Sequence, residues 1–323
     1  MTTNKKGITD QQVIDVYKLY QSPMLVRQKL GISHSCLNRR RKVIEERYGI
    51  TLPVIDRRAA YNTVAVDHST AVARYTITDG TILVGSDLHI WPQERPTMQR
   101  AFLHFALRLT PDAIVLNGDV MDGAKISRFA SIGWEQKPEL WQELEAAVDY
   151  LGDLESASPK AKRFWPAGNH DLRLDSKLAN VAPEYAKLKG VHLKDHFERW
   201  TPCWRLDVND DLVLRHRELG GEHADYRNVV MAGKSIGTGH DHRLGVVLYH
   251  NYTGLKFGFR SGYMCESPDD PQFVHYLEGK VPNWWPGFVV LTFKDGRLLM
   301  PEICIKHPHG EGQVQWRGEV VSV

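Results

Sequence analysis

The amino-acid sequence predicts a mixed α/β fold, a two-sheet sandwich flanked by helices, preceded by a small all-α module. Two observations support this expectation. Residues 81–116 read as strand, helix and strand, and such a crossover makes its two strands parallel neighbours. The second half of the chain is rich in short apolar runs, and Asp295-Gly296 between two of them is typical of a tight hairpin turn.

The elements of the main body follow from apolar runs and the turn residues between them. We expect helices at 97–109 and 138–154, and strands at 81–86, 113–116, 163–165, 211–215, 234–237, 288–293 and 298–304. The strands up to residue 237 each lead into a segment that carries Asp, Asn or His. Ligands of open α/β sheets gather beyond the carboxyl ends of the strands, so these segments are expected to converge.

The composition is that of a soluble globular protein, with 42% hydrophobic and 25% charged residues. No apolar run approaches the roughly 18 residues needed to cross a bilayer, and the first residues contain no apolar signal core. The four cysteines are scattered without a Cys-x-x-Cys pair, which disfavours structural disulfides. We therefore expect a cytoplasmic protein that has no membrane partner.

Charge is distributed unevenly along the chain. Residues 1–60 carry twelve Lys and Arg against five Asp and Glu, a net +7, whereas the whole chain has +2. The same segment predicts three helices within residues 8–48, the first begun by a capping box of Thr9 and Gln12 and the third by Ser33. The expected buried side of the third helix consists of Leu37, Ile44 and Tyr48.

A short helix, a turn at Gly31 and an Arg-rich helix form a helix-turn-helix pattern, which resembles modules of phage and transposon proteins. The second helix of this motif lies in the major groove of DNA, where Ser, Asn and Arg read base edges and further Arg and Lys meet phosphates. DNA is therefore the expected partner, and a solvated appendage or an oligomerisation module is the alternative. The outer side of the helix would present His34, Ser35, Asn38, Arg39, Arg41 and Lys42.

The expected domain boundaries follow from this pattern and from a polar stretch that begins with Leu52-Pro53. The helix-turn-helix module would occupy residues 1–52 and a linker residues 53–75. The main body would extend over residues 76–306, followed by a carboxyl-terminal tail at 307–323.

Residues with metal-binding side chains lie in five short blocks. The blocks are Gly85-Ser-Asp-Leu-His89, Gly118-Asp-Val-Met-Asp122, Gly168-Asn-His-Asp171, a lone histidine at position 216 and Gly239-His-Asp-His242. All the donors are oxygen or nitrogen and no Cys is among them, which suits Mn, Fe, Zn or Mg. One block alone would be an ordinary turn or cap, but five in sequence predict a hydrolase.

In their order, these blocks resemble those of the calcineurin-like metallophosphoesterase superfamily, over about residues 80–305. The lone-histidine block departs from the pattern, because Arg217 follows His216 where members often have Gly, and His223 is the alternative ligand. After Asp122 the chain continues with Gly-Ala, where the Ser/Thr protein phosphatases have Arg-Gly. The blocks therefore look more like those of the phosphodiesterase and DNA-repair nuclease branches.

The resemblance implies two divalent metal ions, with Mn²⁺ favoured and Fe, Zn, Mg or Ni as alternatives. One ion would bind Asp87, His89, Asp119 and His242, and the other Asp119, Asn169, His216 and His240. A shared carboxylate is physically reasonable, because two dications roughly 3.5–4 Å apart repel each other unless an anion lies between them. The resemblance further implies His170 as the catalytic acid, Asp171 as the residue that holds its tautomer, and Asp122 behind the ligands.

The expected function is that of a two-metal phosphodiesterase, a DNA nuclease whose attacking group is a hydroxide that bridges the ions. The relatives it resembles include phage-borne proteins, which would place it in the host cytoplasm. One alternative is a phosphatase or phosphodiesterase of nucleotides or small phosphate esters. Another is a DNA-binding regulator with an inactive metal site, which the complete ligand set disfavours. Endonuclease or exonuclease action, strand preference and oligomeric state stay open.

Overall fold

The computed structural model describes residues 7–20, 23–52, 71–129, 131, 134–265 and 282–323. The chain divides into two compact units, Met1–Val66 and Asp67–Val323. Every helix in the described ranges is too short or too polar to span a bilayer.

The smaller unit consists of three helices, α1 (Asp10–Tyr20), α2 (Pro23–Leu30) and α3 (His34–Tyr48). The expected caps are confirmed: the Thr9 hydroxyl accepts from the backbone N–H of Gln12 at 3.2 Å, and Gln12 Oε1 accepts from that of Thr9 at 2.8 Å. Ser33 Oγ accepts from the backbone N–H of Cys36 at 3.3 Å. The buried core of the unit is formed by Val13, Ile14, Tyr17, Val26, Leu37, Ile44 and Leu52.

The expectation that Tyr48 lies on the buried side of α3 is wrong, since this residue is 51% exposed. Gly49 ends the helix in the left-handed conformation, with φ 62°. The chain turns back there, and the backbone N–H of Leu52 donates to Glu45 Oε1 at 3.0 Å. Leu52 thereby enters the core in place of Tyr48.

The larger unit contains two sheets. Its strands are β1 (Val72–Tyr75), β2 (Gly80–Gly85), β3 (Ala113–Leu116), β4 (Lys162–Pro166), β5 (Thr201–Cys203), β6 (Arg205–Val208), β7 (Leu212–Leu214), β8 (Ser235–Thr238), β9 (Leu244–Asn251), β10 (Gly254–Ser261), β11 (Gly287–Lys294), β12 (Arg297–Leu298), β13 (Glu302–Lys306), β14 (Gln313–Trp316) and β15 (Glu319–Ser322). One sheet has the order β1-β6-β7-β8-β10-β9. The other has the order β15-β14-β13-β11-β2-β3-β4-β5, with β12 paired to β11.

The helices of the larger unit are α4 (Thr97–Leu109), α5 (Leu140–Ala157), α6 (Arg173–Val181) and α7 (Ala224–Ala232), with single 3₁₀ turns at Ala124–Ile126, Pro183–Tyr185 and Leu193–Asp195. Ile82 and Val84 of β2 belong to one apolar cluster, with residues of both sheets, whereas Leu83 belongs to a second, with residues of α4 and α5. Because successive side chains of a strand point to opposite faces, β2 is buried on both faces. The two-sheet α/β fold with flanking helices is confirmed.

The predicted crossover and hairpin are both present. Strands β2, β3, β4 and β5 pair in parallel in that order, so their carboxyl ends lie at one edge of the sheet. Between β11 and β12, Asp295 and Gly296 have φ angles of 50° and 73°. Two consecutive positive φ angles are what a two-residue hairpin loop of type I′ requires.

Two of the expected domain limits are wrong. Residues 313–322 contain β14 and β15, which pair antiparallel at one end of the larger sheet, so residues 307–323 are not a detached tail. The alternation in Gln313–Trp316, in which Val314 and Trp316 are buried, explains the pairing, and strands this short are easily missed in a sequence. Residues 72–75, expected in the linker, form β1 and pair in parallel with β6. Residues 53–70 of the expected linker lie outside the described part of the chain.

Candidate metal centre

The five sequence blocks converge at the carboxyl ends of strands from both sheets. In the larger sheet, Asp87 follows β2, Asp119 follows β3 and Asn169 follows β4. In the smaller sheet, His216 follows β7 and the segment 239–242 follows β8. These strands end in loops because each apolar run stops at polar residues, which include a Gly in every block except that of His216, and parallel neighbours bring such loops together.

Two glycines of the blocks allow the loops to approach one another closely. A Cβ on Gly118, whose φ is 91°, would lie 2.3 Å from Nδ1 of His216. A Cβ on Gly239 would lie 1.9 Å from Ser86 Oγ and 2.7 Å from Asp87 Oδ2. No real Cβ tolerates such distances, so the glycines are a steric requirement of the site.

The backbone is strained at the predicted ligands. Five of the seven have positive φ angles: 52° at Asp87, 41° at His89, 52° at Asp119, 75° at His240 and 57° at His242. Non-glycine residues in this region cost on the order of 1–3 kcal/mol each, and such strain clusters at functional sites, where the surroundings hold it in place. The rest of the fold therefore stabilises a conformation that these loops would not adopt alone.

The predicted ligands form two adjoining clusters. In one cluster, atoms of Asp87, His89 and His242 lie within 4.8 Å of one another, and in the other the same holds for Asp119, His216 and His240. The His242 Nε2–Asp87 Oδ1 distance and the His216 Nε2–Asp119 Oδ2 distance are both 3.2 Å. These clusters correspond to the two ligand sets that the family resemblance implies, and Asp119 lies next to His89 in a third grouping that includes His170.

The donor atoms fit divalent cations. Among the described residues, five buried atoms of the predicted ligands lack a hydrogen-bond partner: Asp87 Oδ1, His89 Nε2, Asn169 Oδ1, His216 Nε2 and His242 Nδ1. His216 Nδ1 lies 2.7 Å from the carbonyl oxygen of Asn117 and donates to it, which leaves Nε2 without a proton in the neutral ring. Buried polar atoms without partners are costly, and coordination to a cation would satisfy those that face the site.

The buried carboxylates of Asp87 and Asp119 make the electrostatic potential of the site negative, as the pKa values of its side chains indicate. Burial opposes a charge on His216, but the attraction of Asp119 and Asp87 raises its pKa to about 10. Burial would raise the pKa of Asp87, but His216 and His242 hold it at about 2. The pKa of Asp119 lies well below its ordinary value, because His216 outweighs the effect of burial. The carboxylates thus create a strongly negative potential, which bound cations would neutralise.

The tautomer of His170 is held by Asp122, so the expectation that Asp171 holds it is wrong. His170 Nδ1 lies 2.7 Å from Asp122 Oδ1, and the same carboxylate oxygen lies 3.3 Å from His89 Nδ1. Burial opposes a charge on His170, but the hydrogen bond with Asp122 raises its pKa overall. Asp122 therefore orients one predicted ligand and the predicted acid together.

Asp171 instead fastens two backbone loops. Its Oδ2 accepts from the backbone N–H groups of Asp119 and Gly168 and from the indole of Trp165, at 2.8–2.9 Å. Its Oδ1 accepts from the N–H of Val120 at 2.9 Å. Asp171 is buried and both of its carboxylate oxygens accept hydrogen bonds from these groups. It therefore holds the loops of the site in place and is not accessible to a substrate.

Arg173 is a residue that the sequence analysis missed. Its Nη1 donates to the carbonyl of Asp122 at 2.7 Å, and its Nη2 lies 3.1 Å from His170 Nε2. A guanidinium beside Nε2 places a positive charge where a bound cation would be repelled, which disfavours His170 as a ligand, and the same charge opposes part of the pKa rise that Asp122 causes. The signal available in the sequence was its position, three residues beyond His170 at the start of α6.

Of the two candidates for the lone-histidine ligand, His216 is the one that lies among the other predicted ligands. It lies in the cluster with Asp119 and His240, whereas His223 is an exposed residue at the amino-terminal end of α7. His216 is the second residue after the end of β7 at Leu214, so its ring lies at the carboxyl end of that strand, beside the other predicted ligands.

Glu143 is a second functional-site residue that sequence reasoning missed. It is fully buried on α5 and accepts from the backbone N–H groups of Gly123 and Ala124 at 2.5 and 3.0 Å, directly after Asp122. Burial and then repulsion by Asp122 raise its pKa to about 7 from the ordinary 4.5. Glu143 therefore anchors the Asp122 loop while resisting ionisation.

This predicts a pH dependence of stability. A carboxyl whose pKa is raised by folding binds its proton more tightly in the native state, so its contribution is full below about pH 4.5 and is lost as the pH rises through about 7. Between about pH 4.5 and pH 7, the free energy of unfolding of the wild-type protein should fall by up to about 3 kcal/mol relative to that of Glu143→Gln. Chemical denaturation of both proteins, without metal, at pH 4.5, 6 and 8 measures this difference in free energy. A difference that does not change with pH would contradict the assignment.

In the smaller unit, the predicted DNA-facing residues have different environments. Ser35, Asn38, Arg39 and Lys42 are exposed on α3. Arg41 is half-buried and its Nε pairs with Glu45 at 3.1 Å, while the side chain of His34 lies outside the described part of the structure. Arg40 faces inward and donates to the carbonyl of Ile8 at 2.8 Å and to Asp10 at 3.0 Å, which makes it structural.

Comparison with known proteins shows which of them the chain is similar to. The chain is 27% identical over 252 residues to the Gene 54 protein of Mycobacterium phage D29 and 25% identical over 252 residues to that of Mycobacterium phage L5; each match covers 69% of this chain and 92% of the relative. Among solved structures, Vps29 of Entamoeba histolytica, complexed with zinc, aligns with 75% of this chain and 98% of its own, at 14% identity and a TM-score of 0.38. The model of the calcineurin-like phosphoesterase family matches residues 80–251, more than half of the chain, and the chain belongs to that family.

Proposed function

We propose that this protein is a two-metal phosphodiesterase that hydrolyses DNA, guided by its amino-terminal helical unit. The observation that supports the metal chemistry best is the pair of adjoining Asp/His clusters whose buried donor atoms lack hydrogen-bond partners within the described residues. Membership of the calcineurin-like phosphoesterase family makes the protein a metal-dependent phosphoester hydrolase. The choice of DNA as substrate rests on the charge of the smaller unit.

Asp87, His89 and His242 would hold one ion, and Asp119, Asn169, His216 and His240 the other, with Asp119 shared between them. Two bound divalent ions supply Lewis-acid stabilisation of a phosphoryl group and acidify water. No side chain is then needed as a covalent nucleophile. Oxygen and nitrogen donors suit manganese, iron, zinc or magnesium, and manganese is our preferred ion because the family resemblance favours it.

His170 would donate a proton to the oxygen that leaves phosphorus. Asp122, 2.7 Å from Nδ1, engages that nitrogen, so Nε2 would be the nitrogen that donates the proton. Arg173, 3.1 Å from that Nε2, would donate hydrogen bonds to a phosphate oxygen. Guanidinium groups suit phosphate because their donors form a planar fork. Arg173 could thus take over the role of the arginine that the protein phosphatases carry after the second block and that is absent here.

The smaller unit would bind the duplex through the exposed side of α3. Ser35, Asn38, Arg39 and Lys42 lie on that side, and no ion pair within the described residues occupies Arg39 or Lys42. Arg41 is partly engaged by Glu45, so its contribution would be smaller. When Lys and Arg side chains of such a helix bind DNA phosphates, they displace the counterions that surround the DNA, and this favours binding.

The test is hydrolysis by the full-length protein with Mn²⁺ of linear, circular and single-stranded DNA, alongside bis- and mono-nitrophenyl phosphate. We expect cleavage of DNA and of the diester, and loss of both activities when a chelator is added. Turnover of the monoester with no cleavage of any DNA would overturn the DNA proposal in favour of a small-ester phosphatase. Hydrolysis that persists after the chelator would overturn the metal mechanism.

The DNA-binding role predicts a charge effect on α3. Arg39→Glu should weaken duplex binding by about tenfold or more and should lower the salt-dependence slope by about 1, since each neutralised phosphate contributes about −0.9. Lys18→Glu changes the charge equally at an exposed position of α1 and is the matched control. Fluorescence anisotropy at several salt concentrations measures both. If Arg39→Glu and Lys18→Glu shift affinity and slope equally, α3 has no specific role.

A further inference from the structure

Arg260 is a buried arginine of β10 that lies outside the predicted ligand blocks. It is 7% exposed, and it uses four acceptors. Its Nη1 donates to Asp241 Oδ2 at 3.0 Å and to the carbonyl of Gly221 at 3.4 Å. Its Nη2 donates to Asp225 Oδ2 at 3.1 Å and to the carbonyl of Glu222 at 3.2 Å. A buried cation is expensive unless it is paired and hydrogen-bonded, and this one is both.

Asp241 is the residue between the two histidines of the 239–242 loop. His240 and His242 both have left-handed backbones, with φ 75° and 57°, so the loop needs an external restraint. Asp241 provides it through both oxygens: Oδ2 accepts from Arg260, and Oδ1 accepts from the backbone N–H of Arg243 at 3.3 Å. The loop is thereby tied to β10, a strand of the smaller sheet that pairs on both sides, with β8 and with β9.

The other contacts of Arg260 reach the segment that follows His216. Gly221 and Glu222 lie in that segment, and Asp225 is in the first turn of α7. Gly258 of the same strand lets α7 pack closely, since a Cβ there would lie 2.2 Å from the carbonyl oxygen of Asp225. One guanidinium thus joins the segments that carry three predicted ligands, His216, His240 and His242.

We propose that Arg260 is a positioning residue for the metal centre, which acts through Asp241 to hold His240 and His242 in their ligating orientations. The inference rests on the metal centre of the proposed function. His240 and His242 belong to different clusters, one with Asp119 and the other with Asp87. Loss of the Arg260–Asp241 pair therefore weakens the binding of both ions together. Partners that orient metal ligands are worth about 10–100-fold in metal affinity.

The experiment measures Mn²⁺ binding to the full-length protein by calorimetry, together with the thermal stability of the metal-free forms. The variants are Arg260→Met, Arg260→Lys and Asp241→Asn, and the control is Lys256→Met. Lys256 is equally buried on the same strand, but its Nζ binds Asn251, Thr253 and Gly254 at the β9–β10 turn. Asp241→Asn preserves size and leaves Arg260 paired with Asp225, so it tests the link even if Arg260→Met does not fold.

We expect two bound ions in the wild type, about 10–100-fold weaker binding of both in Asp241→Asn and Arg260→Met, and a partial recovery in Arg260→Lys. Lys256→Met should lose thermal stability without losing metal affinity. Unchanged affinity for both ions in Asp241→Asn, or a loss confined to one ion, would overturn the inference while the metal centre stands. A wild type that binds no ion would instead overturn the proposed function on which the inference rests.

Discussion

Replacement of Asp119 by alanine is expected to abolish hydrolysis of both DNA and nitrophenyl diesters. Asp119 is buried, its Oδ2 lies 3.2 Å from His216 Nε2, and its Oδ1 accepts from the backbone N–H of His170 at 2.8 Å. Without this carboxylate, two cations would repel each other and one ion would be lost. Since metal stabilisation of the transition state contributes several kcal/mol, the rate should fall on the order of 10³-fold or more.

Metal content and turnover are measured on the same preparation. Asp112→Ala is the control, since Asp112 precedes β3 whereas Asp119 follows it. Within the described part of the chain, the Asp112 carboxylate accepts only from the backbone N–H of Thr81. The control should keep two ions and its rate. Two tightly bound ions together with full activity in Asp119→Ala would show that the shared carboxylate is not part of the mechanism.

The second large effect is expected for His170→Ala. The variant should retain both ions, because His170 Nδ1 is engaged by Asp122 and its Nε2 lies 3.1 Å from Arg173. Its rate on DNA should fall on the order of 10²–10⁴-fold, the usual contribution of general acid catalysis. The loss should be smaller for bis-nitrophenyl phosphate, because nitrophenolate leaves without protonation.

The comparison requires rates on both substrates and metal analysis of the same samples. His223→Ala is a suitable control, since His223 is exposed and belongs to neither ligand cluster. An equal loss on both substrates would argue against proton donation by His170. Loss of an ion would instead make His170 a ligand, as its distance of 3.9 Å from Asp119 Oδ2 in the structure would allow.

The ligand blocks could be read from the sequence because each one is local. Asp87, Asp119 and Asn169 each follow an apolar strand by one to three residues, so strand position alone predicts that they meet. The same locality explains why the Thr9 and Ser33 caps and the Asp295-Gly296 turn were predicted correctly. Capping and turn formation depend on residues two to four positions apart, and these can be seen without the fold.

The residues that orient the ligands could not be read in this way. Asp171 was expected to hold the tautomer of His170 because it is the next residue in the sequence, whereas the fold brings Asp122, 48 positions away, to within 2.7 Å. Glu143, on a helix, contacts Gly123 and Ala124, which lie 20 and 19 positions earlier in the chain. Arg260, on a strand, contacts Asp241, which lies 19 positions earlier. Nothing in their local sequence marks them.

The sequence alone was therefore sufficient to identify the candidate donors and the phosphoesterase family, since the identity and order of the donors are local properties of strand ends. Which partner orients each donor was decided by the packing of two sheets and a helix around them. The exposure of Tyr48 and the pairing of the strands at 313–322 were likewise decided by the tertiary structure. Whether an apolar residue is buried, or a short alternating run forms a strand, depends on which segments lie next to it in space. Burial and electrostatic pairing are properties of the whole fold, because they depend on which distant segments exclude water from a group.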